Sequence, residues 1–360
     1  MSLSRGRVLD AIGEIYDDAP RCAELAGLHY VHAGERGIRR RRCGRGFAYR
    51  DARGQLVDDK VVARIAELAI PPAWRDVWIG VDARGHLLAT GEDDRGRTQY
   101  VYHPKWSELR GLLNFYRLLV FGEQLPTIRQ HVAAQLRRRT LDRDRVLATM
   151  LRIVDTSAVR IGTEVYADEN DSFGLSTLTK RHVRVHASSV EFDFPAKSGR
   201  RVQTTIVDAP VARTVRELQA TRGRHLFTVD GQVITAADVN ERVLQLTGEH
   251  VTAKDFRTWN GTLAAFCHLR DQRDSDRAPE RVAVDAIDEA AHRLDNTRAV
   301  ARAHYVHPHM LDAFTRNRFE QYLDSCTVRR SEFLDEEECA LLAFLRVLLE
   351  REFDQHDIAG

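Results

Sequence analysis

An α+β chain of two domains is the fold the sequence predicts, a small β-rich N-terminal domain followed by a mainly α-helical one that encloses a three-stranded antiparallel sheet. Three observations predict it. The 360 residues exceed one ordinary domain, and 43% of them are hydrophobic, enough for two packed cores. Strand-like alternation with turn residues dominates the chain up to Pro104. Beyond it apolar residues recur at three- and four-residue spacing, with one island of alternation at 182–208. The expected domains are 1–104 and 105–360, with an acidic tail at 332–360.

Residues 38–57 alternate through Phe47 and Tyr49 into Asp51-Ala52-Arg53-Gly54. Residues 77–90 run as Val-Trp-Ile-Gly-Val, a turn at 82–85, then Leu-Leu-Ala-Thr. Both stretches read as hairpins. Between them Val61, Val62, Ile65, Leu68 and Ala69 have helical spacing, closed by Pro71-Pro72. Gln99-Tyr100-Val101-Tyr102 reads as a strand that stops at Pro104. Helices follow at about 106–121, 126–139 and 143–160. The island at 182–208 suits a three-stranded meander of 182–186, 190–194 and 202–207, whose second turn carries Lys197-Ser198-Gly199. Helices resume at about 210–221 and 235–246, and the next begins at Thr252 with Asp255 three residues on, close to a capping box. No internal repeat, low-complexity segment or long linker interrupts the series.

The formal net charge of +1 conceals an uneven distribution. Residues 332–360 hold nine acids against Arg346 and Arg351, a net of −7 that leaves +8 on the rest of the chain. Seven arginines and no acid lie between 36 and 50, a field that attracts phosphates, although composition alone favours a solvated charge run. Only five of the 54 basic residues are lysine: Lys60, Lys105, Lys180, Lys197 and Lys254. Wherever chemistry calls for lysine, the choice therefore stands out against an arginine background. Five scattered cysteines without a C-x-x-C pair argue against a disulfide framework and a zinc site. No apolar run approaches the ~20 residues of a membrane span, and the opening Met1-Ser2-Leu3-Ser4-Arg5 lacks the apolar core of a secretory signal, so a cytoplasmic location is expected.

Several basic and polar residues form an ordered series. Arg160 ends an expected helix, and Lys197 follows 37 residues later on a hairpin turn. Arg257 lies in Lys254-Asp255-Phe256-Arg257-Thr258-Trp259, and Tyr305 follows Asn296 by nine residues in Leu294-Asp295-Asn296-Thr297-Arg298-Ala299-Val300-Ala301-Arg302-Ala303-His304-Tyr305-Val306-His307-Pro308. This series resembles the type IB DNA topoisomerases, especially their compact bacterial and poxvirus branch, over most of residues 38–310. In that family the same interval separates an arginine from the hairpin lysine. A K-D-[FL]-R-T-[WY] segment carries the second arginine, and the nucleophile sits in a stretch like L-G-N-T-P-x-V-x-R-x-x-Y-x-x-P. Ile70-Pro71-Pro72-Ala73-Trp74, Gly96–Pro104 and Asn170-Asp171-Ser172-Phe173-Gly174-Leu175 also look like family segments. Departures are Pro195-Ala196 where glycine usually precedes the lysine, Leu88 in place of a frequent glutamine, and Asn296 where poxviral and eukaryotic members carry histidine.

The resemblance implies a clamp around duplex DNA and five catalytic groups in the second domain: Arg160, Lys197, Arg257, Asn296 and Tyr305. The residue types suit the chemistry. A phosphodiester undergoing attack gathers negative charge on its nonbridging oxygens, and a guanidinium is permanently charged and forks onto two of them. Arginine cannot protonate a leaving group, because its pKa lies above about 12. Lysine can, so Lys197 fits a general acid for the departing 5′-hydroxyl, although residue type alone also allows a solvated hairpin lysine. Lys254, one turn before Arg257, would support that proton transfer or a phosphate oxygen. The Asn296 amide can donate to a nonbridging oxygen but cannot serve as acid or base, and a turn residue is its other reading. Tyr305 would attack phosphorus, losing its proton as it does so.

From the first domain Arg39, Arg40, Arg41, Arg42, Tyr100 and Tyr102 would contact DNA. His304, His307 and His309 crowd the nucleophile, but no carboxylate or cysteine cluster completes a metal site, and no G-x-x-x-x-G-K-[ST] loop is present. The expected enzyme thus needs neither ATP nor a divalent metal. Its expected partner is double-stranded DNA, with no membrane, and it should act as a monomer associated with the nucleoid. A tyrosine recombinase or integrase shares the Arg, Lys, Arg and Tyr chemistry, but usually presents H-x-x-R where this chain has Lys254-x-x-Arg257. An architectural DNA-binding protein explains the basic stretch but not the ordered catalytic groups.

Overall fold

The computed structural model describes residues 15–16, 18–162, 172–196, 199–249 and 251–355. Lys197, Asn170 and Asp171 lie outside the described residues. The chain divides into two compact units, 1–116 and 117–360. The architecture is mixed α+β, with small antiparallel sheets among helices.

In the first unit a short helix α1 (Ala19–Leu25) precedes five antiparallel strands. These are β1 (Ile38–Cys43), β2 (Gly46–Arg50), β3 (Arg75–Ile79), β4 (Leu87–Glu92) and β5 (Thr98–Tyr102), in the order β2-β1-β3-β4-β5. Residues two apart share a face of a strand, so Val77 and Ile79 turn inward together and meet Ile38 and Ala89. Helix α2 (Asp59–Glu67) is capped by Asp58, whose carboxylate accepts from Val61 N–H at 2.8 Å, and adds Val61, Ile65 and Leu68 to the same core. The first hairpin reverses at Gly44-Arg45, where Cys43 pairs with Gly46. That is earlier than the sequence pattern suggests. The Asp51–Gly54 stretch instead forms a loop after β2, in which the Asp51 carboxylate accepts from the N–H groups of Arg53 and Gln55 at 2.9 and 2.8 Å.

Helix α3 (Pro104–Leu136) passes through Pro126, where the sequence pattern suggests two helices. An internal proline costs about 3 kcal/mol. Phe121, Leu125, Ile128 and Val132 lie at most 3% exposed around it, and burying side chains of this size stabilises by about 1.5–3 kcal/mol each, which outweighs the interruption. Helix α4 (Arg143–Ser157) follows, then the meander β6 (Val183–Val185), β7 (Ser189–Ala196) and β8 (Arg200–Val207) in the expected order. A two-stranded sheet, β9 (Thr228–Val229) and β10 (Gln232–Val233), is too short to leave a periodic signal. It lies between α5 (Ala209–Ala220) and α6 (Ala236–Thr247). The remaining helices are α7 (Ala253–Asp271), α8 (Pro279–Arg293), α9 (Arg298–His304), α10 (Pro308–Thr315), α11 (Phe319–Asp324) and α12 (Glu336–Gln355). Among the described residues no helix is long and apolar enough to cross a membrane.

Helix α7 is the hub of the second unit, burying Phe256, Trp259, Phe266 and Leu269 and packing against α4, α8 and α12. The acidic C-terminal segment supplies α12, which turns Leu341, Phe344, Leu345 and Leu348 inward. It is therefore part of the core and not an appended tail, so its charge has to be probed by substitution and not by truncation. Glu338 is itself buried. Its carboxylate receives the Arg129 guanidinium at 2.6 and 2.7 Å and the Trp259 indole N–H at 3.1 Å. Arg129 also grips Asp155 of α4 through two bonds of 2.8 and 2.9 Å. This partly buried cation, with Glu338 receiving Trp259, joins α3, α4, α7 and α12.

Candidate active site

Helix α4 ends at Ser157, and Ala158 closes it in the left-handed conformation, with φ of 52°. Arg160 thus lies in the segment after the helix, not at its last turn. That segment is pinned from the side: Leu175 N–H donates to the Arg160 carbonyl at 2.9 Å and Ser176 N–H to that of Ile161 at 2.7 Å. Gly162 and Gly174 approach so closely that a Cβ on Gly174 would stand 2.4 Å from the Gly162 Cα. Two glycines let the chains meet there, and the contact fixes the exit from α4 that presents Arg160.

Helix α7 starts with the expected cap. The Asp255 carboxylate accepts from both the N–H and the hydroxyl of Thr252, at 2.7 and 2.9 Å. One turn in, Arg257 is 4% exposed. Its guanidinium donates to the Ala158 carbonyl and, at 2.9 Å, to the Leu294 carbonyl. These carbonyls close α4 and α8, whose C-terminal ends carry partial negative charge, so both helices hold the cation. Burial pushes the Arg257 pKa down and the Arg160 charge pushes the same way, while the Tyr305 oxygen opposes them.

After α8, Asp295 takes a φ of 48° and Asn296 N–H returns to the Ala291 carbonyl at 2.8 Å. The Asn296 side-chain oxygen accepts from the Arg160 guanidinium. Its buried Nδ2, like the Arg257 Nε, meets no acceptor among the described residues. Tyr305 closes α9, its N–H bonded to Ala301 at 2.9 Å and its carbonyl accepting from the Thr262 hydroxyl at 3.1 Å. The Arg257 guanidinium carbon lies 5.1 Å from the centre of the Tyr305 ring. Arg160, Arg257, Asn296 and Tyr305 are thereby gathered from four separate stretches of chain. Lys254 is exposed on the first turn of α7, and after burial its charge is the second cause that depresses the His304 imidazole. His307 is fully buried, which drives its imidazole down to about 3. Among the described residues no group of three or more His, Cys, Asp or Glu side chains is arranged to hold a metal.

In the first unit Arg39, Arg41 and Arg42 are exposed along β1. Arg40 is engaged internally: its guanidinium donates to the carbonyls of Pro71 at 3.1 Å and Trp74 at 2.6 Å and lies 4.2 Å over the Phe47 ring. Burial lowers its pKa. Tyr100 and Tyr102 stack at 5.8 Å and are 50% and 40% exposed.

Sequence reasoning missed Gly261. A Cβ there would stand 2.8 Å from the Tyr305 carbonyl oxygen and 2.8 Å from Leu294 Cδ1. Glycine costs about 1 kcal/mol in a helix interior relative to alanine, and that cost was the available signal. Gly261→Ala is expected to keep the fold but displace Tyr305; on the expectation that Tyr305 is the nucleophile, single-turnover cleavage of duplex DNA would slow on the order of 10²-fold. An unchanged cleavage rate would show that the contact does not position the tyrosine.

A family model for the catalytic core of eukaryotic DNA topoisomerase I matches residues 105–326, and one for the N-terminal domain of bacterial DNA topoisomerase IB matches residues 46–93. The DNA topoisomerase 1B of Acanthamoeba polyphaga mimivirus is 29% identical over 296 residues, covering 78% of this chain and 88% of the viral protein. The DNA topoisomerase 1 beta of Arabidopsis thaliana is 29% identical over 165 residues, 44% of this chain and 18% of the plant protein.

Proposed function

The chain belongs to the type IB DNA topoisomerase family, and from that premise we propose that it relaxes positive and negative supercoils through a 3′-phosphotyrosyl intermediate. The Tyr305 oxygen attacks the scissile phosphorus as the bond to the 5′-oxygen breaks. The tyrosine proton is lost to the surroundings and the 5′-oxygen takes up another, leaving a free 5′-hydroxyl. Reversal of the same step reseals the strand. One phosphoester replaces another, so no nucleotide is required to restore the bond.

The observation that carries this reading is the Arg257 guanidinium 5.1 Å from the Tyr305 ring, with Arg160 bonded to Asn296 beside it. Two fixed cations and an amide whose N–H meets no acceptor among the described residues suit the charge that develops on the nonbridging oxygens. Lys197 serves as general acid and Lys254 assists it or a phosphate oxygen. The strand beyond the break swivels around its intact partner while the other end stays covalently held. Residues 1–104 and 105–360 act as two arms of a clamp on duplex DNA. Arg39, Arg41, Arg42, Tyr100 and Tyr102 touch it from the first arm, and Arg40 shapes that surface through its bonds to Pro71 and Trp74. The protein acts as a monomer in the cytoplasm, on the nucleoid, without ATP or a divalent metal.

Incubation with supercoiled plasmid in EDTA tests the proposal. A ladder of relaxed topoisomers is expected. Recombination of paired sites would instead indicate a recombinase, and an unchanged linking number an architectural protein.

A further inference from the structure

We propose that Asp295 and Arg200 form a latch that positions Lys197, tying the hairpin strand that leads away from it to the loop that carries Asn296. The proposal rests on the reading of Lys197 as general acid. Its starting point is a backbone anomaly. Asp295 sits at φ of 48°, a conformation that glycine accepts freely and side-chain-bearing residues adopt at a cost. An aspartate retained under strain next to a reactive site points to a task for its side chain.

Among the described residues the side chain has one hydrogen-bond partner, and its charge also acts on the Arg257 guanidinium. Its Oδ1 accepts from the Arg200 guanidinium at 2.8 Å. Arg200 opens β8 and pairs with Ala196, the last residue of β7. Lys197 is covalently joined to Ala196 and stands three residues before Arg200. Holding Arg200 therefore holds one end of the short connection that bears the lysine, and the β7–β8 pairing holds the other. The second end of the tie is equally well placed. Asn296, the residue after Asp295, receives Arg160, and Leu294, the residue before it, receives Arg257. The latch thus links the proton donor to the groups that grip the phosphate. Both side chains are more than a third exposed, so the pair adds little to global stability. Its loss should change geometry and leave the fold intact.

Asp295→Gly is the suitable variant, because it removes the carboxylate while the backbone conformation stays easy to adopt. Cleavage of ordinary duplex should slow about 10- to 100-fold, less than the roughly 10²–10⁴-fold expected of a lost general acid. Arg200→Ala should behave alike, and the double variant should be no slower than either single one. On a duplex whose bridging 5′-oxygen is replaced by sulfur, the thiolate leaves without a proton, and all three variants should return close to the unaltered protein's rate. Lys197→Ala is the control. If sulfur restores Lys197→Ala but not Asp295→Gly, the latch is overturned and Asp295 acts through the phosphate-binding groups. If Asp295→Gly cleaves ordinary duplex at the unaltered rate, the latch is likewise overturned. If sulfur fails to restore Lys197→Ala, the general-acid reading falls and the latch with it.

Discussion

Tyr305→Phe is expected to abolish relaxation and covalent attachment while duplex affinity changes by less than about threefold, within ~0.6 kcal/mol. The substitution deletes one oxygen. The anchors that place the residue are backbone bonds to Ala301 and Thr262, and the ring that faces the Arg257 guanidinium remains. Adduct trapping with denaturant on end-labelled duplex reads the first effect and gel retardation reads the second. Adduct formation by a folded Tyr305→Phe protein would move the nucleophile elsewhere.

Arg129→Leu is expected to cost stability on the order of 3–5 kcal/mol, because removing one partner of a buried ion cluster strands the others. Asp155 and Glu338 would face each other across an apolar gap, and the Trp259 indole would keep only a carboxylate that had lost its counterion. Burial alone would raise the Glu338 pKa, but the hydrogen bond and charge of Arg129 outweigh it and hold the carboxyl below its ordinary value. A carboxylate whose folded pKa is depressed contributes stability above its unfolded pKa, near 4.5, and loses it as pH falls through the lower folded value. The unaltered protein should therefore weaken below about pH 4.5, and Arg129→Leu should lack that component. Denaturant unfolding at several pH values measures both effects. A loss under about 1 kcal/mol would mean that water already solvates the cluster.

The parts of this fold that were legible in the sequence share a cause: their signals are local. The meander at 183–207 shows period-two alternation, and the α7 start shows Thr252 and Asp255 at capping-box spacing. The hidden parts depend on distant partners. Pro126 reads as a break until the buried side chains around it are known. Residues 332–360 read as a charged tail, yet α12 buries an apolar face and places Glu338 against Arg129, more than 200 residues away in sequence. Arg160, Arg257, Asn296 and Tyr305, which the motifs single out, do lie together in the fold, while their catalytic roles belong to the proposed function. Gly261 and the Arg200–Asp295 pair were not, because one is defined by a space that Tyr305 fills and the other by two helix and strand ends meeting.

The buried Nδ2 of Asn296 and Nε of Arg257 meet no acceptor among the described residues. A buried donor that finds no partner costs about 1–3 kcal/mol. A phosphate that satisfies these donors lowers the energy of the folded chain alone, since the unfolded chain has no such site. Folding and occupancy are then linked through mass action: the apparent melting temperature climbs with the logarithm of DNA concentration. On the function proposed above, duplex DNA would thereby act as a folding ligand as well as a substrate.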